Sequence, residues 1–282
     1  MNLSGHFFII GAQKAGTTSL FRYLATHPEI FGALKKETKF FCKPQPSAKR
    51  TQPYESFFEG RQGERWAFEA SPHYTQYPKY TGVPERIHAA CPDARLVYVI
   101  RHPVERIYSH YIFRLASPAG RESKSFEDAI RDNPVYLATS SYYLQLTQYL
   151  PYFPSERIHV LLSEALAREP RTTLRGVFEF LDVDPDFEPP NLRTVYNEGK
   201  DRTTMVSPVF HRLKKSRVYD YLPVPLRRWM RRRVRVPAPT RADIFSPESY
   251  NRIHAKLTGD VARLEEYLGR KLPWDFPTSK YS

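Results

Sequence analysis

The sequence predicts an α/β fold in which a central parallel sheet is flanked by helices, and three observations carry that expectation. Four short runs of apolar, β-branched and aromatic residues have the length of buried strands: His6 to Ile10, Trp66 to Glu69, Arg95 to Ile100 and Arg157 to Leu162. Segments with helical spacing lie between them, at 18–26, 84–91, 104–115 and 142–152, and such alternation builds a parallel sheet covered on both faces. The first strand runs into a small-residue loop and a helix, FFIIGAQKAGTTSLFRYL, at the edge where open parallel sheets hold ligands.

Each element has its own local reason. Thr17 or Thr18 is a residue type that opens a helix, and Pro103 suits the first turn of the helix after the third strand. A further helix at 173–181 ends in the loop 182–190, and a long irregular stretch runs from Asn191 to Arg217. Between Pro247 and Leu268, apolar Tyr250, Ile253, Leu257, Val261, Leu264 and Leu268 share one helical face, and Gly269 stops the helix. That helix is expected on the sheet edge or on the first helix. Prolines outnumber glycines, 25 to 12, which points to fixed loops around a modest sheet.

The 282 residues, 41% of them hydrophobic, suffice for one large domain, and no repeat or low-complexity linker divides them. We therefore expect a single domain over 1–282. No window approaches the roughly 18 apolar residues that span a bilayer, and the start lacks the pattern of a secretory signal. Cys42 and Cys91 are too few for a disulfide framework or a zinc site, so reduced thiols and a cytoplasmic location are expected.

Charge narrows the partners. Lys and Arg number 43 against 30 Asp and Glu, a net +13, so the surface attracts anions: nucleic acid, membrane, a phosphorylated cofactor or an acidic glycan. In the loop after the first strand, Gly11 and Gly16 permit a tight turn. The backbone N–H groups of Ala15 to Thr18, with Lys14, Thr17, Thr18 and Ser19, then form an anion nest, unless the small residues serve only packing. The glycines have the spacing of the nucleotide P-loop G-x-x-x-x-G-K-[ST], but Thr17 stands where lysine belongs and the lysine has moved inside, to position 14. The strand LVYVI ends in Arg101 where nucleotide hydrolases and kinases place an acid that helps hold Mg²⁺. A second phosphate, without metal, suits that arginine better. Ser109, about two turns into the next helix, adds a donor; otherwise Arg101 pairs with Glu105 or solvent and Ser109 packs.

Together the two segments resemble the sulfotransferases that use 3'-phosphoadenosine 5'-phosphosulfate (PAPS). The likeness rests on Gly11, Lys14, Gly16, Thr17 and Thr18 in the first segment and Arg101 and Ser109 in the second. It extends through LATHPEIFGALKKETKFF, EASPHY, SSYYLQLTQYLPYFPSERIHVLLSEAL and FEFLDV, and looks closest to the carbohydrate-modifying, heparan-type branch and its bacterial relatives. The resemblance implies that the loop holds the 5'-phosphosulfate and that Arg101 and Ser109 hold the 3'-phosphate, with 3'-phosphoadenosine 5'-phosphate (PAP) as product and no metal. It also implies a carbohydrate, glycolipid or comparable small-molecule acceptor bearing a hydroxyl or amine. The resemblance further implies that the core motifs lie within about 6–185 and that 186–282 is the variable part. Two departures stand out: glycine is usual where this chain has Ser140, Ser141 and Tyr142, and the match beyond Asn191 is loose. There, NEGKDR with Arg202 is either the loop that covers the nucleotide or a solvated basic turn.

By the same resemblance Lys14 stabilises charge on the leaving phosphate, and Glu37 of KKETKFF is the base that takes the acceptor's proton. On local sequence alone Glu37 is an exposed acid among lysines. Lys36, Lys39 and Ser71 are assigned to the acceptor side. His73 and His102 are alternative bases on chemistry alone, although isolated histidines are more often packing or surface residues. Residues 226–235, LRRWMRRRVR, form a cationic amphipathic segment with three open uses: a membrane-surface contact, a dock for a polyanion, or a core-packed helix with a basic face. No nucleic-acid module is recognisable. A P-loop kinase or nucleotide hydrolase, and a non-catalytic polyanion-binding protein, are the competing classes.

Overall fold

In a computed structural model of the chain, β1 spans His6–Gly11 and every residue in it is buried. The structure describes residues 5–44, 53–117, 122–192 and 246–274, with short pieces at 204–206, 222–223, 225–226, 235–237 and 239–244. Around β1 lie β2 (Ile30–Gly32), β3 (Trp66–Ala70), β4 (Arg95–Ile100) and β5 (Ile158–Leu162). Their order is β2-β3-β1-β4-β5 and every neighbouring pair is parallel. The chain leaves β1 towards β2 and β3, and leaves β4 towards β5. Two loops therefore diverge beyond the carboxyl ends of adjacent strands, the crevice where a doubly wound sheet holds its ligand.

The four expected strands are present within a residue or two of their expected ends. β2 escaped notice because three residues, IFG, give no periodicity to read. It exists through its neighbour: Ile30, Phe31 and Gly32 pair in register with Trp66, Ala67 and Phe68.

The helices described are α1 (Thr17–Leu24), α2 (Val83–Ala90), α3 (Pro103–Leu115), α4 (Phe126–Asp132), α5 (Val135–Ala138), α6 (Tyr142–Thr147), α7 (Ser163–Arg168), α8 (Pro170–Leu181) and α9 (Pro247–Leu268), with a single turn at Arg241–Ile244. α6 is shorter than the expected 142–152. Pro151 disfavours helix in the residue before it, and the chain finishes in turns. The C-terminal helix α9 has its expected bounds, with Ser246 Oγ capping it by accepting from Ser249 N at 3.1 Å and Gly269 in the left-handed region at φ 62°. Its packing differs from the expectation of the sheet edge or the first helix, because it lies against α6 and α3. Tyr250, Ile253 and Leu257 join Val104, Ile107 and Tyr111 of α3 and Phe126 of α4 in a second apolar cluster. The buried carboxylate of Asp260 caps α6, accepting from Tyr143 N at 3.0 Å and Leu144 N at 2.8 Å.

Where an irregular stretch was expected, Thr204–Val206 pairs antiparallel with Arg235–Pro237. Arg202 and residues 227–234 of the arginine-rich segment lie outside the described residues. Among the described residues, no helix is long and apolar enough to cross a membrane. Cys42 and Cys91 are buried thiols.

Candidate functional site

The loop after β1 turns through residues 12–16 and delivers the chain to α1. Gly11 is required where the loop begins, since a Cβ there would lie 1.9 Å from Thr75 Oγ1. Gly16 sits at the N-cap of α1 with φ 95°, a conformation natural only to glycine, and it offers no capping side chain. No side chain of the N-cap serves the N–H groups of the first turn, and no acidic residue occupies that turn to oppose an anion. Ala15, Thr17 and Ser19 are buried, while Lys14 and Thr18 are half-buried.

Two arginines hold the loop from behind. Arg106, fully buried on α3, donates from Nη1 to Gln13 O at 3.3 Å, from Nε to Ser140 Oγ at 2.5 Å and from Nη2 to Tyr136 O at 2.6 Å. Burial lowers its pKa to about 10, so it stays charged at neutral pH. Arg101, just beyond β4, places Nη1 3.5 Å from Lys14 O and pairs with Glu105 at 3.6 Å, so the ion pair weighed from sequence is present. Its backbone is fixed by the fully buried Tyr142, whose hydroxyl accepts from Arg101 N at 3.3 Å and donates to Arg101 O at 2.6 Å.

On α3, Glu105, Ser109 and Phe113 follow one another at helical four-residue spacing and so share a face. Glu105 touches Arg101, and the Phe113 ring lies 4.9 Å from Lys14 Nζ. Ser109 therefore stands one turn of α3 from the residue that contacts each cation, and Arg101 reaches the loop that carries Lys14. Local electrostatics agree: burial, then Arg106, Arg114, Lys14 and Lys79, push the buried His110 well below the ordinary histidine value.

Glu37 and Lys39 flank the buried Thr38, and both adopt left-handed backbones, at φ 62° and 54°. With Lys14 at φ 74°, three of the four non-glycine residues of positive φ among those described lie in the two candidate loops. Strain of this kind persists only where surroundings over-determine it. Here the fully buried Glu69 does so, accepting from Thr38 Oγ1, Ser71 Oγ (2.9 Å), Tyr74 OH (2.5 Å) and Tyr54 OH (3.3 Å). Burial raises its carboxyl pKa against the pull of those four hydroxyls. Ser71 is wholly buried and its hydroxyl also accepts from Lys39 N at 3.0 Å, so it bears on the acceptor side only by fixing Lys39.

Glu37 itself is partly exposed. Its Oε1 accepts from Lys36 Nζ at 3.2 Å, and its Oε2 lies 3.9 Å from His73 Nδ1. Burial raises its pKa, but the charged groups around it, Lys36 foremost, outweigh that and hold it below the usual carboxylate value. The loop after β3 joins the two candidate regions. Its Ser71 holds Lys39, while Gln76 Nε2 donates to Gln13 Oε1 at 2.8 Å and Thr75 Oγ1 to Ile10 O at 3.2 Å.

A family model described as "Sulfotransferase family" matches residues 45–189, half of the chain. The chain belongs to the sulfotransferase family. The matched interval contains Arg101 and Ser109 but starts beyond the phosphate loop and Glu37. Among curated relatives, mouse heparan sulfate glucosamine 3-O-sulfotransferase 5 is 32% identical over 197 residues, 65% of this chain and 55% of that protein. The human bifunctional heparan sulfate N-deacetylase/N-sulfotransferase 2 is 26% identical over 198 residues, 64% of this chain and 22% of that protein. The chain thus spans about half the length of the first relative and less of the second. Among solved structures, a sulfotransferase from Alicyclobacillus acidocaldarius superposes with a TM-score of 0.67 at 28% identity, covering 96% of this chain and 98% of that one. A mouse sulfotransferase complexed with PAP superposes at 0.52 with 13% identity, over 94% and 88% of the two chains, and shows the shared α/β fold alone.

Sequence reasoning missed Arg106, Glu69 and the Glu37–His73 approach. Arg106 reads as a surface residue until α3 is seen packed on the loop. Glu69 stood inside EASPHY, but a strand-end acid gives no sign of four hydroxyls gathering on it. Ser163, at the end of β5, was also missed: its Oγ lies 3.4 Å from where a Cβ on Gly16 would stand. Its signal was its place just after a parallel strand.

Proposed function

We propose that this chain transfers a sulfuryl group from PAPS to a hydroxyl or amine of a carbohydrate-type acceptor. The observation that carries this is that Arg101 reaches the loop of Lys14 beside an acid-free helix N-terminus, beyond the adjacent strands β1 and β4, with Ser109 on the α3 face whose Glu105 and Phe113 contact the two cations. Cations, hydroxyls and backbone donors suit a nucleotide with phosphates at two positions, so the donor set fits PAPS. Bound there, PAPS supplies an SO₃ group on a phosphate leaving group. The first turn of α1 and Lys14 bind the 5' side and stabilise charge on the leaving oxygen, while Arg101 and Ser109 bind the 3'-phosphate and orient the nucleotide. Glu37, kept deprotonated by Lys36, accepts the acceptor's proton. Lys36 and Lys39 flank that carboxylate and suit an acceptor that carries negative charge. The names of the heparan sulfate relatives support a saccharide acceptor. The two buried thiols support a reducing compartment such as the cytoplasm.

Calorimetric titration with PAP, ADP and ATP, each in EDTA and in Mg²⁺, tests the donor half without knowledge of the acceptor. Metal-independent preference for PAP is expected. Preference for ATP with Mg²⁺ would replace this reading with a kinase or hydrolase, and no binding would leave a polyanion-binding protein.

A further inference from the structure

His73 brings a second side chain towards the carboxylate assigned above as the base. Glu37 Oε1 already accepts from Lys36, whereas Oε2 has His73 Nδ1 3.9 Å away. That distance exceeds a hydrogen bond, and two such bonds through a water, bent at its oxygen, need more room, about 4.5 Å end to end. Contacts of this kind are often long in the ligand-free protein and close when substrate arrives. His73 Nδ1 is buried and, among the described residues, makes no hydrogen bond. It is not a surface histidine turned inward by chance. Its ring is nine-tenths buried with Tyr80 edge-on at 6.3 Å, and Ser71, two residues before it, and Tyr74, the residue after it, are anchored on Glu69. Tyr149 OH fastens the same loop by donating to Tyr74 O at 2.9 Å.

The groups facing the ring are Lys36, Lys39 and Glu37 from the base loop and Lys79 from the segment after β3. Three cations against one anion, together with burial, keep the imidazole neutral, and a neutral imidazole has one N–H to place. Nδ1 is the nitrogen that faces a carboxylate.

We propose that His73 is a positioning residue for Glu37, donating Nδ1–H to Oε2 as the acceptor enters. The carboxylate is then held from both sides, by Lys36 and by His73, and its remaining lone pairs are directed at the acceptor's proton. This rests on Glu37 being the base of the proposed transfer.

Two measurements on the full chain decide it, and the first needs no activity. Long-range ¹H–¹⁵N correlation of ¹⁵N-histidine-labelled protein at neutral pH should show His73 as the Nδ1–H tautomer, reverting to Nε2–H in Glu37→Ala. An Nε2–H tautomer in the wild type, or no change in the variant, overturns the proposal. The second compares His73→Asn, whose amide nitrogen falls near the Nδ1 position, with His73→Leu. Transfer is followed from radiolabelled PAPS to partially desulfated heparin. The Leu variant should lose about 10- to 100-fold in kcat with the KM for PAPS unchanged, its acid limb moving to higher pH, while Asn stays within about threefold of wild type. A Leu variant with wild-type kcat and acid limb, or an Asn variant as slow as Leu, overturns the assignment. Wild-type protein with neither PAP binding nor transfer overturns the sulfotransferase reading instead, and the tautomer measurement then decides the Glu37–His73 contact by itself.

Discussion

Lys14 keeps a left-handed backbone while the carbonyls of Gln13 and Lys14 face Arg106 and Arg101. The loop therefore presents a cation and N–H groups to the crevice and turns these two negative dipole ends towards arginines. Lys14→Ala should lower transfer by about 10²- to 10³-fold, the scale of removing one preorganised charge-stabilising donor, with thermal unfolding unchanged. Arg101→Ala should weaken PAP binding by about 1.5 to 3 kcal/mol, measured by calorimetry on a folded variant; normal affinity removes Arg101 from the site. Glu37→Gln should leave PAP affinity nearly unchanged and slow transfer to a hydroxyl, and full activity would pass the role of base to another residue. At this scale the sequence was legible where chemistry and spacing coincide, as at Gly11, Lys14, Gly16 and Arg101. It was silent on Arg106 and Glu69, whose roles arise from burial that only the assembled fold imposes.

Single elements show the same division. β1 and β4 were readable as continuous apolar runs of strand length, and α9 as a long apolar stripe of period 3.6. β2 was not, since its three residues owe their strand state to pairing with β3, and the end of α6 was misjudged by passing over Pro151. The packing of α9 could not be read at all, because an apolar face does not say what covers it. In the structure its Asp260 caps α6, the helix whose Tyr142 fixes the Arg101 backbone. Asp260→Ala should therefore cost about 1 to 2 kcal/mol of stability, as loss of a helix cap does. It should also weaken PAP binding several-fold from a residue that does not line the site. Denaturant unfolding and calorimetry on the same preparation test both halves, and unchanged PAP affinity in a destabilised variant would break the link from α9 to Arg101.

For the whole molecule, the buried His73 and the half-buried His159 contribute to an acid limit. Burial pushes both His73 and His159 from 6.5 to about 4 in the folded protein. Between those values the unfolded chain binds more protons than the folded one, so stability falls as pH drops from 6.5 towards 4 and is insensitive to these groups above 6.5. The loss is up to about 3 kcal/mol for each when complete. Urea midpoints at pH 7 and pH 4.5 should show it, and His73→Asn should flatten part of the slope; equal midpoints would contradict the neutral state assigned to both rings.

The sheet order carries a different consequence, for synthesis. β1 precedes every other strand yet lies in the middle of the sheet, between β3 and β4. As the chain emerges from the ribosome, HFFIIG has no partner on one side until residues 66–70 appear and none on the other until 95–100. A strand that ends wholly buried is thus exposed longest, which makes it the natural target for a chaperone that binds nascent chains and the first segment to aggregate when translation stalls before β4.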